Sequence, residues 1–173
     1  MSHIIGINAP YEAEGAVKNI TSLLDHYYGY RYVSLTGPVN RMLVSLYGHD
    51  FWNLKSDARD FDGFSKQQLQ WALHDWGMQQ HEKYWLYQVE KHLDIMRRFA
   101  SDRIAIVITH IQYEHEAEWL RSMGGKLCHL TGVPFSENHP SQHHLTFCEG
   151  DVSLPAIDKD GLKPLVAKLV CEP

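Results

Sequence analysis

Three short stretches of the chain gather side chains that could do chemistry. The first reads Gly6-Ile7-Asn8-Ala9-Pro10-Tyr11-Glu12-Ala13-Glu14-Gly15-Ala16-Val17-Lys18, where an apolar strand pattern gives way to a helical one. A phosphate cradle at such a turn needs glycines that let backbone N–H groups face inward. It also needs a lysine for the β- and γ-phosphates and a hydroxyl for magnesium. The spacing G-x-x-x-x-G-K-[ST] is absent, so Gly6, Asn8, Gly15 and Lys18 are the residues an altered phosphate loop would use. Glu12 and Glu14 put negative charge where phosphates would sit, and on residue chemistry alone an ordinary strand-to-helix connection accounts better for the stretch.

The second stretch, Thr109-His110-Ile111-Gln112-Tyr113-Glu114-His115-Glu116, follows the most apolar run of the chain. His110 could serve there as a general base or a metal ligand, although a histidine at a strand end is more often simply hydrogen-bonded. The third stretch is Glu137-Asn138-His139-Pro140-Ser141-Gln142-His143-His144. Together with His110 and His115 its imidazoles would suit zinc, nickel or copper. The chain has no HExxH helix, and loop histidines are more often solvated, so no residue is assigned as a metal ligand. No G-x-S-x-G elbow is present either. Trp71, Trp76, Tyr84 and Trp85 could stack bases, but Trp76 and Trp85 fall on apolar helical faces, where core packing is the better reading.

These stretches must be positioned by the elements around them. Ile4, Ile5 and Ile7 read as a buried strand that turns near Pro10. Ala13, Ala16, Val17, Ile20, Leu24 and Tyr27 recur at helical spacing over about 12–28, and Gly29 stops that helix. Residues 30–35 read as a second strand. Pro38 sits in the first turn of a helix whose buried face would be Val39, Met42, Leu43 and Leu46. After a loop over 48–64, Ser65 caps a helix with Leu69, Ala72, Leu73 and Trp76 on one face, which Gly77 would bend or break. Trp85, Val89, His92, Leu93 and Met96 mark the next helix. The run 103–109 is continuously apolar, as expected of a parallel strand covered on both faces. A helix over 113–123 stops at Gly124-Gly125, a strand follows over 126–131, and short strands are expected at 144–148 and 152–157. Leu162, Leu165, Val166 and Leu169 form the last helix. This alternation predicts an α/β fold, a three-layer, mainly parallel sheet flanked by helices, in which ligands bind at the carboxyl ends of the strands.

Composition sets the limits. The chain has 173 residues, with 16 Lys+Arg against 21 Asp+Glu for a net charge of -5, which disfavours bulk nucleic-acid binding. A hydrophobic fraction of 44% gives material for a real core. Three cysteines without a CxxC pair argue against a disulfide framework and fit a reduced, cytoplasmic setting. No run approaches the roughly 18 apolar residues that suggest a membrane helix, so no membrane partner is expected.

Read as an ordered series, the segments resemble the phage-type deoxynucleoside monophosphate kinases, a branch of the P-loop kinases. Ile4-Ile-Gly-Ile-Asn looks like that family's first strand and phosphate loop, and Leu35-Thr-Gly-Pro-Val-Asn-Arg-Met-Leu like its second strand and following helix. Leu69-Gln-Trp-Ala-Leu, Gly77-Met and Tyr84-Trp85 resemble its "LQ…GT…W" region. Ile106-Val-Ile-Thr-His-Ile-Gln-Tyr-Glu-His-Glu-Ala-Glu-Trp-Leu-Arg-Ser-Met-Gly-Gly resembles its "ITDxRxxxEAxxxxxxGG" strand and helix, and His139-Pro-Ser-Gln its "HxSE" turn. The closing stretch, Asp151 to Leu169, resembles the family's last strand and helix.

The resemblance implies one kinase-like domain over residues 1–173 with a P-loop kinase fold, an ATP and magnesium site, and a deoxynucleoside monophosphate as the bound nucleotide. It places Gly6, Asn8, Gly15 and Lys18 at the cofactor, Lys18, His110 and Gln112 at the chemistry, and His81, His139 and Ser141 at the substrate. The departures fall on that chemistry: Ala16 stands where the family has its lysine, and His110 and Gln112 where it has an aspartate and an arginine. Gln142 replaces a glutamate, and His81 stands near an expected arginine. Phosphoryl transfer depends on positioning and cationic stabilisation. The expectation is therefore a catalytically impaired relative, a pseudokinase from a phage acting in the host cytoplasm by binding a nucleotide or a protein partner. The alternatives are an active nucleotide kinase using Lys18, with His110 as base, and a metal-dependent hydrolase built from His110, His115, His139 and His143.

Overall fold

The computed structural model describes residues 4–54, 61, 63–99, 104–135 and 145–171. The expected strand segments become β1 (Ile4–Asn8), β2 (Arg31–Ser34), β3 (Ile106–Thr109), β4 (Lys126–Thr131) and β5 (Val152–Pro155). The helical patterns become α1 (Glu14–Tyr28), α2 (Gly37–Tyr47), α3 (Lys66–Gln80), α4 (Tyr84–Phe99), α5 (Glu114–Ser122) and α6 (Lys159–Cys171). The five strands form one all-parallel sheet in the order β2-β3-β1-β4-β5. This is the α/β layout expected from the alternation of elements, with β1 in the middle.

The backbone groups into two compact units, Met1–Ser34 with Met96–Pro173, and Leu35–Ile95. The first holds the sheet. Its core joins Ile5 and Ile7 of β1 and Val107 of β3 to Val17, Ile20 and Leu24 of α1 and to Leu162, Val166 and Leu169 of α6. Helices α1 and α6 therefore share one face of the sheet. On the opposite face α5 packs against β1 and β4. A Cβ added at Gly6 would strike the side chains of Leu120 on α5 and Ile111, so Gly6 is small because α5 lies close there.

The second unit centres on Val39, Leu43, Phe51, Phe61 and Trp85. Three sequence expectations change there. Helix α2 buries Val39 and Leu43, but Leu46 is 74% exposed and Met42 also faces outward, so the apolar stripe is narrower than its residue types suggest. Helix α3 runs unbroken through Gly77 and buries His74 and Gly77, while Ala72 and Trp76 face out. The reason is Trp85: its ring fills the space a Cβ at Gly77 would need, and its Nε1 donates to the His74 carbonyl at 2.8 Å. On α4, Leu86 takes the buried position assigned to His92, which is exposed. Back in the first unit, residues 145–148 are irregular chain rather than a strand.

Candidate functional site

Parallel pairing aligns the carboxyl ends of β2, β3, β1 and β4, and side chains opposite one another in register share a face. Thr109 pairs with Ile7 and with Ser34, and Tyr32 pairs with Val107. Because Ile7 and Val107 lie in the core under α1, Tyr32, Ser34 and Thr109 also belong to the α1 face. There the hydroxyls connect. Thr109 Oγ1 donates to Tyr32 Oη at 3.2 Å, and His110 Nδ1 lies 2.9 Å from Thr109 Oγ1 and 3.1 Å from Ser34 Oγ.

His110 follows β3 directly and holds φ at 62°, the only positive φ at a non-glycine residue among those described. The left-handed backbone costs an L-residue roughly 1–2 kcal/mol. Such strain gathers where surrounding structure fixes a side chain for a task. Burial holds the imidazole's pKa below its ordinary value, although the Glu14 carboxylate at the start of α1 pulls it the other way. His110 is therefore neutral at pH 7, with Nδ1 engaged and Nε2 without a bond among the described residues.

The β1–α1 connection is a tight one. Tyr11–Ala13 form a 3-10 turn closed by Ala13 N–H donating to the Pro10 carbonyl at 3.0 Å. Neither Gly6 nor Gly15 has left-handed backbone, and Gly15 lies exposed in the first turn of α1 with open space where a Cβ would go. Lys18 is taken up by Glu14, one turn back, at 3.0 Å.

The α5 face is organised differently. Asn8, at the end of β1, is 1% exposed; its Nδ2 donates to the Ile111 carbonyl at 2.9 Å and its Oδ1 has no partner among the described residues. Asn8 pairs in register with His129 of β4. Glu116 accepts from the backbone N–H groups of Gln112 at 2.7 Å and Tyr113 at 3.1 Å, which caps the first turn of α5. Burial pushes its carboxyl up to about 7 against those two hydrogen bonds. Asp151, just before β5, receives Arg121 through Nη2 at 2.6 Å and Nε at 3.3 Å, the Cys148 N–H at 2.8 Å, and His129 Nε2 at 3.3 Å. Burial alone would raise the Asp151 pKa, but Arg121 and these hydrogen bonds hold it below the ordinary carboxylate value. Glu114 completes the clamp by accepting from Thr146 N at 2.6 Å and Oγ1 at 2.8 Å.

The expected site residues thus separate. Gly6 and Asn8 face α5, Gly15 and Lys18 lie on α1, His110 joins the hydroxyl chain, and Gln112 supplies a backbone N–H to Glu116. His81 lies in the second unit, at the end of α3, where its Nδ1 accepts from Lys83 N at 3.0 Å. His139, Ser141, Gln142 and His143 lie outside the described residues. His115 stacks on Tyr113 with ring centroids 5.5 Å apart. Among the described residues no group of three or more His, Cys, Asp or Glu side chains is placed to hold a metal ion. No helix among them is long and apolar enough to cross a membrane.

Sequence reasoning missed Tyr32, Ser34 and Thr109. They stand on two strands 75 positions apart, and only the β2–β3 register joins them. His129 carried a usable signal, a histidine inside the apolar run Leu127–Leu130 of a buried strand. Compared with known proteins, the chain matches no family model and no curated sequence.

Proposed function

We propose that this chain is a diverged relative of the deoxynucleoside monophosphate kinases, impaired in phosphoryl transfer, that works by binding a nucleotide at the carboxyl ends of its strands. The all-parallel sheet is consistent with a Rossmann-like or P-loop-like layout, and such sheets bind ligands at that edge. The observation that carries the reading is the β1–α1 connection. The segment that would cradle a triphosphate is a 3-10 turn followed by Glu14, and the nearest lysine is paired with that glutamate. A transferred phosphoryl group needs cations aimed at it, and this turn offers it carboxylates.

The test is a titration of the purified protein with ATP, with and without magnesium, and with each deoxynucleoside monophosphate, following heat and melting temperature together. Binding to the native state raises stability by about 2.7 kcal/mol at a hundredfold excess over Kd. The expected result is stabilisation by a monophosphate with no turnover in the presence of ATP. Turnover of any monophosphate would establish an active kinase. Silence toward every nucleotide would discard the nucleotide reading and leave a protein partner as the ligand to seek.

A further inference from the structure

The α1 face holds an arrangement that the nucleotide reading does not use: a histidine in strained backbone whose one nitrogen is tied into a chain of hydroxyls. We propose that Tyr32, Thr109 and Ser34 fix His110 as its Nδ1–H tautomer, so that Nε2 presents a lone pair to a hydrogen-bond donor on the ligand, the sugar–base end of a nucleotide rather than its phosphate. The ligand half of this inference rests on the nucleotide reading; the tautomer half rests on Thr109 donating to Tyr32.

The proton count runs along the chain of contacts. Thr109 has one hydroxyl proton and gives it to Tyr32 Oη. With that proton on Tyr32, the Thr109 oxygen accepts at 2.9 Å from His110, and in this scheme the ring proton sits on Nδ1. Ser34 Oγ, 3.1 Å away, lies within reach of the same N–H. A neutral imidazole has one N–H, so Nε2 is left as an acceptor. Burial favours that neutral ring.

The charge around Nε2 selects the ligand group. Glu14, the first residue of α1, acts on His110 electrostatically. The basic side chain of the first turns of α1, Lys18, is already paired with Glu14. A neutral acceptor nitrogen under the influence of the Glu14 carboxylate disfavours a phosphate dianion and welcomes a hydroxyl, amino or imino donor, and a deoxynucleoside offers both a sugar hydroxyl and base N–H groups. Tyr32, Thr109 and Ser34 are positioning residues in this scheme, acting through His110.

Long-range proton–nitrogen NMR of the full chain labelled at histidine reads the tautomer directly. The native protein should show His110 with Nδ1 protonated and Nε2 bare; a ring protonated at Nε2 would overturn the proposal. In Tyr32→Phe, Thr109 loses its acceptor and turns its proton toward Nδ1, so the ring should shift toward the Nε2–H form. Tyr32 is exposed, so this variant keeps the fold, and an unchanged tautomer in it would refute the relay. Thr109→Val gives the same expectation from the buried link.

Deoxynucleosides and deoxynucleoside monophosphates should both move the His110 Nε2 signal, and inorganic phosphate should leave it in place. A shift with phosphate alone overturns the assignment of the sugar–base end. A monophosphate that binds by calorimetry while the His110 signal stays still also overturns it, yet leaves the nucleotide reading intact. Absence of any calorimetric binding defeats the nucleotide reading and the ligand half together, and the tautomer in the native and Tyr32→Phe proteins still decides the relay.

Discussion

On the α5 face of the sheet edge, polar groups hold the protein to itself. Asp151 gathers Arg121, His129 and the Cys148 N–H, Glu114 holds Thr146, and Glu116 caps the turn from β3 into α5. On the α1 face, the hydroxyl chain ends at a histidine with a ring nitrogen still without a bond among the described residues. The first network is built on carboxylates and closes on backbone and side-chain partners, whereas the second is built on hydroxyls and ends on a ring nitrogen with capacity left over. A closed network contributes stability, and a strained, open one is where a ligand finds something to engage. Asn8 belongs to the α5 face, its Nδ2 bonded and its buried Oδ1 without a partner among the described residues.

The sharpest way to break the comparison is to open the closed side. Asp151→Ala leaves the Cys148 N–H without its acceptor and Arg121 without its carboxylate, with the Thr146 carbonyl at 2.9 Å still accepting from the guanidinium. Breaking a fully buried ion pair costs about 3–5 kcal/mol; with the Arg121 side chain 21% exposed, a loss of about 2 kcal/mol is expected here. Urea denaturation of the variant should show that loss, together with faster hydrogen exchange at the Cys148 amide. A loss under about 1 kcal/mol would mean that the clamp is decorative and that the two faces do not differ as described.

Glu116 tests the same face through pH. Its carboxyl titrates at about 7 when folded, against an ordinary value of 4.5. Between those values the unfolded chain has released the proton and the folded one has kept it, so stability falls as pH rises. At about 1.4 kcal/mol per unit the whole loss is roughly 3 kcal/mol, complete above the folded value. Glu116→Gln keeps an acceptor for the cap and removes the titration. It should flatten the stability profile between about pH 5 and 7 and exceed the native protein at pH 8 in urea denaturation. His110 contributes the opposite slope. Its lowered pKa means that the unfolded chain takes up a proton first as pH falls below about 6.5, so its contribution is lost on the acid side.

On the open side the expected stability effects are smaller. His110→Gly removes the left-handed penalty and loses the contacts to Ser34 and Thr109, two effects of about 1 kcal/mol each that nearly cancel. His110→Ala keeps the penalty and loses the contacts. The glycine variant should therefore be about 1 kcal/mol the more stable of the two, while both lose nucleotide binding. Equal stability would mean that the backbone at 110 is unstrained and would remove one of the two reasons for treating this residue as special.

The same contrast explains what could be read from the chain in advance. The parallel sheet was legible because Ile4–Ile7 and Ile106–Ile108 are too apolar to face water and are separated by helical patterns. The stripe on α3 misled, because Trp76 has the right spacing but Gly77 has the right size for Trp85. Of the site, His110 was found by its place at a strand end. Its partners were not, because hydroxyls on Tyr32, Ser34 and Thr109 look like ordinary strand residues until register brings them together. Local spacing finds groups one helical turn apart, whereas a crevice at a sheet edge joins positions that only strand order makes neighbours.

Lys18 is the smallest expected effect and the one that separates the two readings of the nucleotide site. Its ammonium meets Glu14 with 73% and 48% of the two side chains exposed, so the pair contributes little. Lys18→Ala should change stability by no more than about 0.5 kcal/mol, as exposed i,i+4 pairs do. If the lysine serves only Glu14, the variant should keep native affinity for a deoxynucleoside monophosphate. Freed from its partner, Glu14 would then press harder on His110, and the histidine's pKa should rise slightly. If the lysine instead swings to a bound triphosphate, native protein should bind ATP measurably and Lys18→Ala should lose that binding by tenfold or more, the effect of about 1.4 kcal/mol. Calorimetry on the two proteins decides between a side chain spent on its own helix and one held in reserve for a ligand.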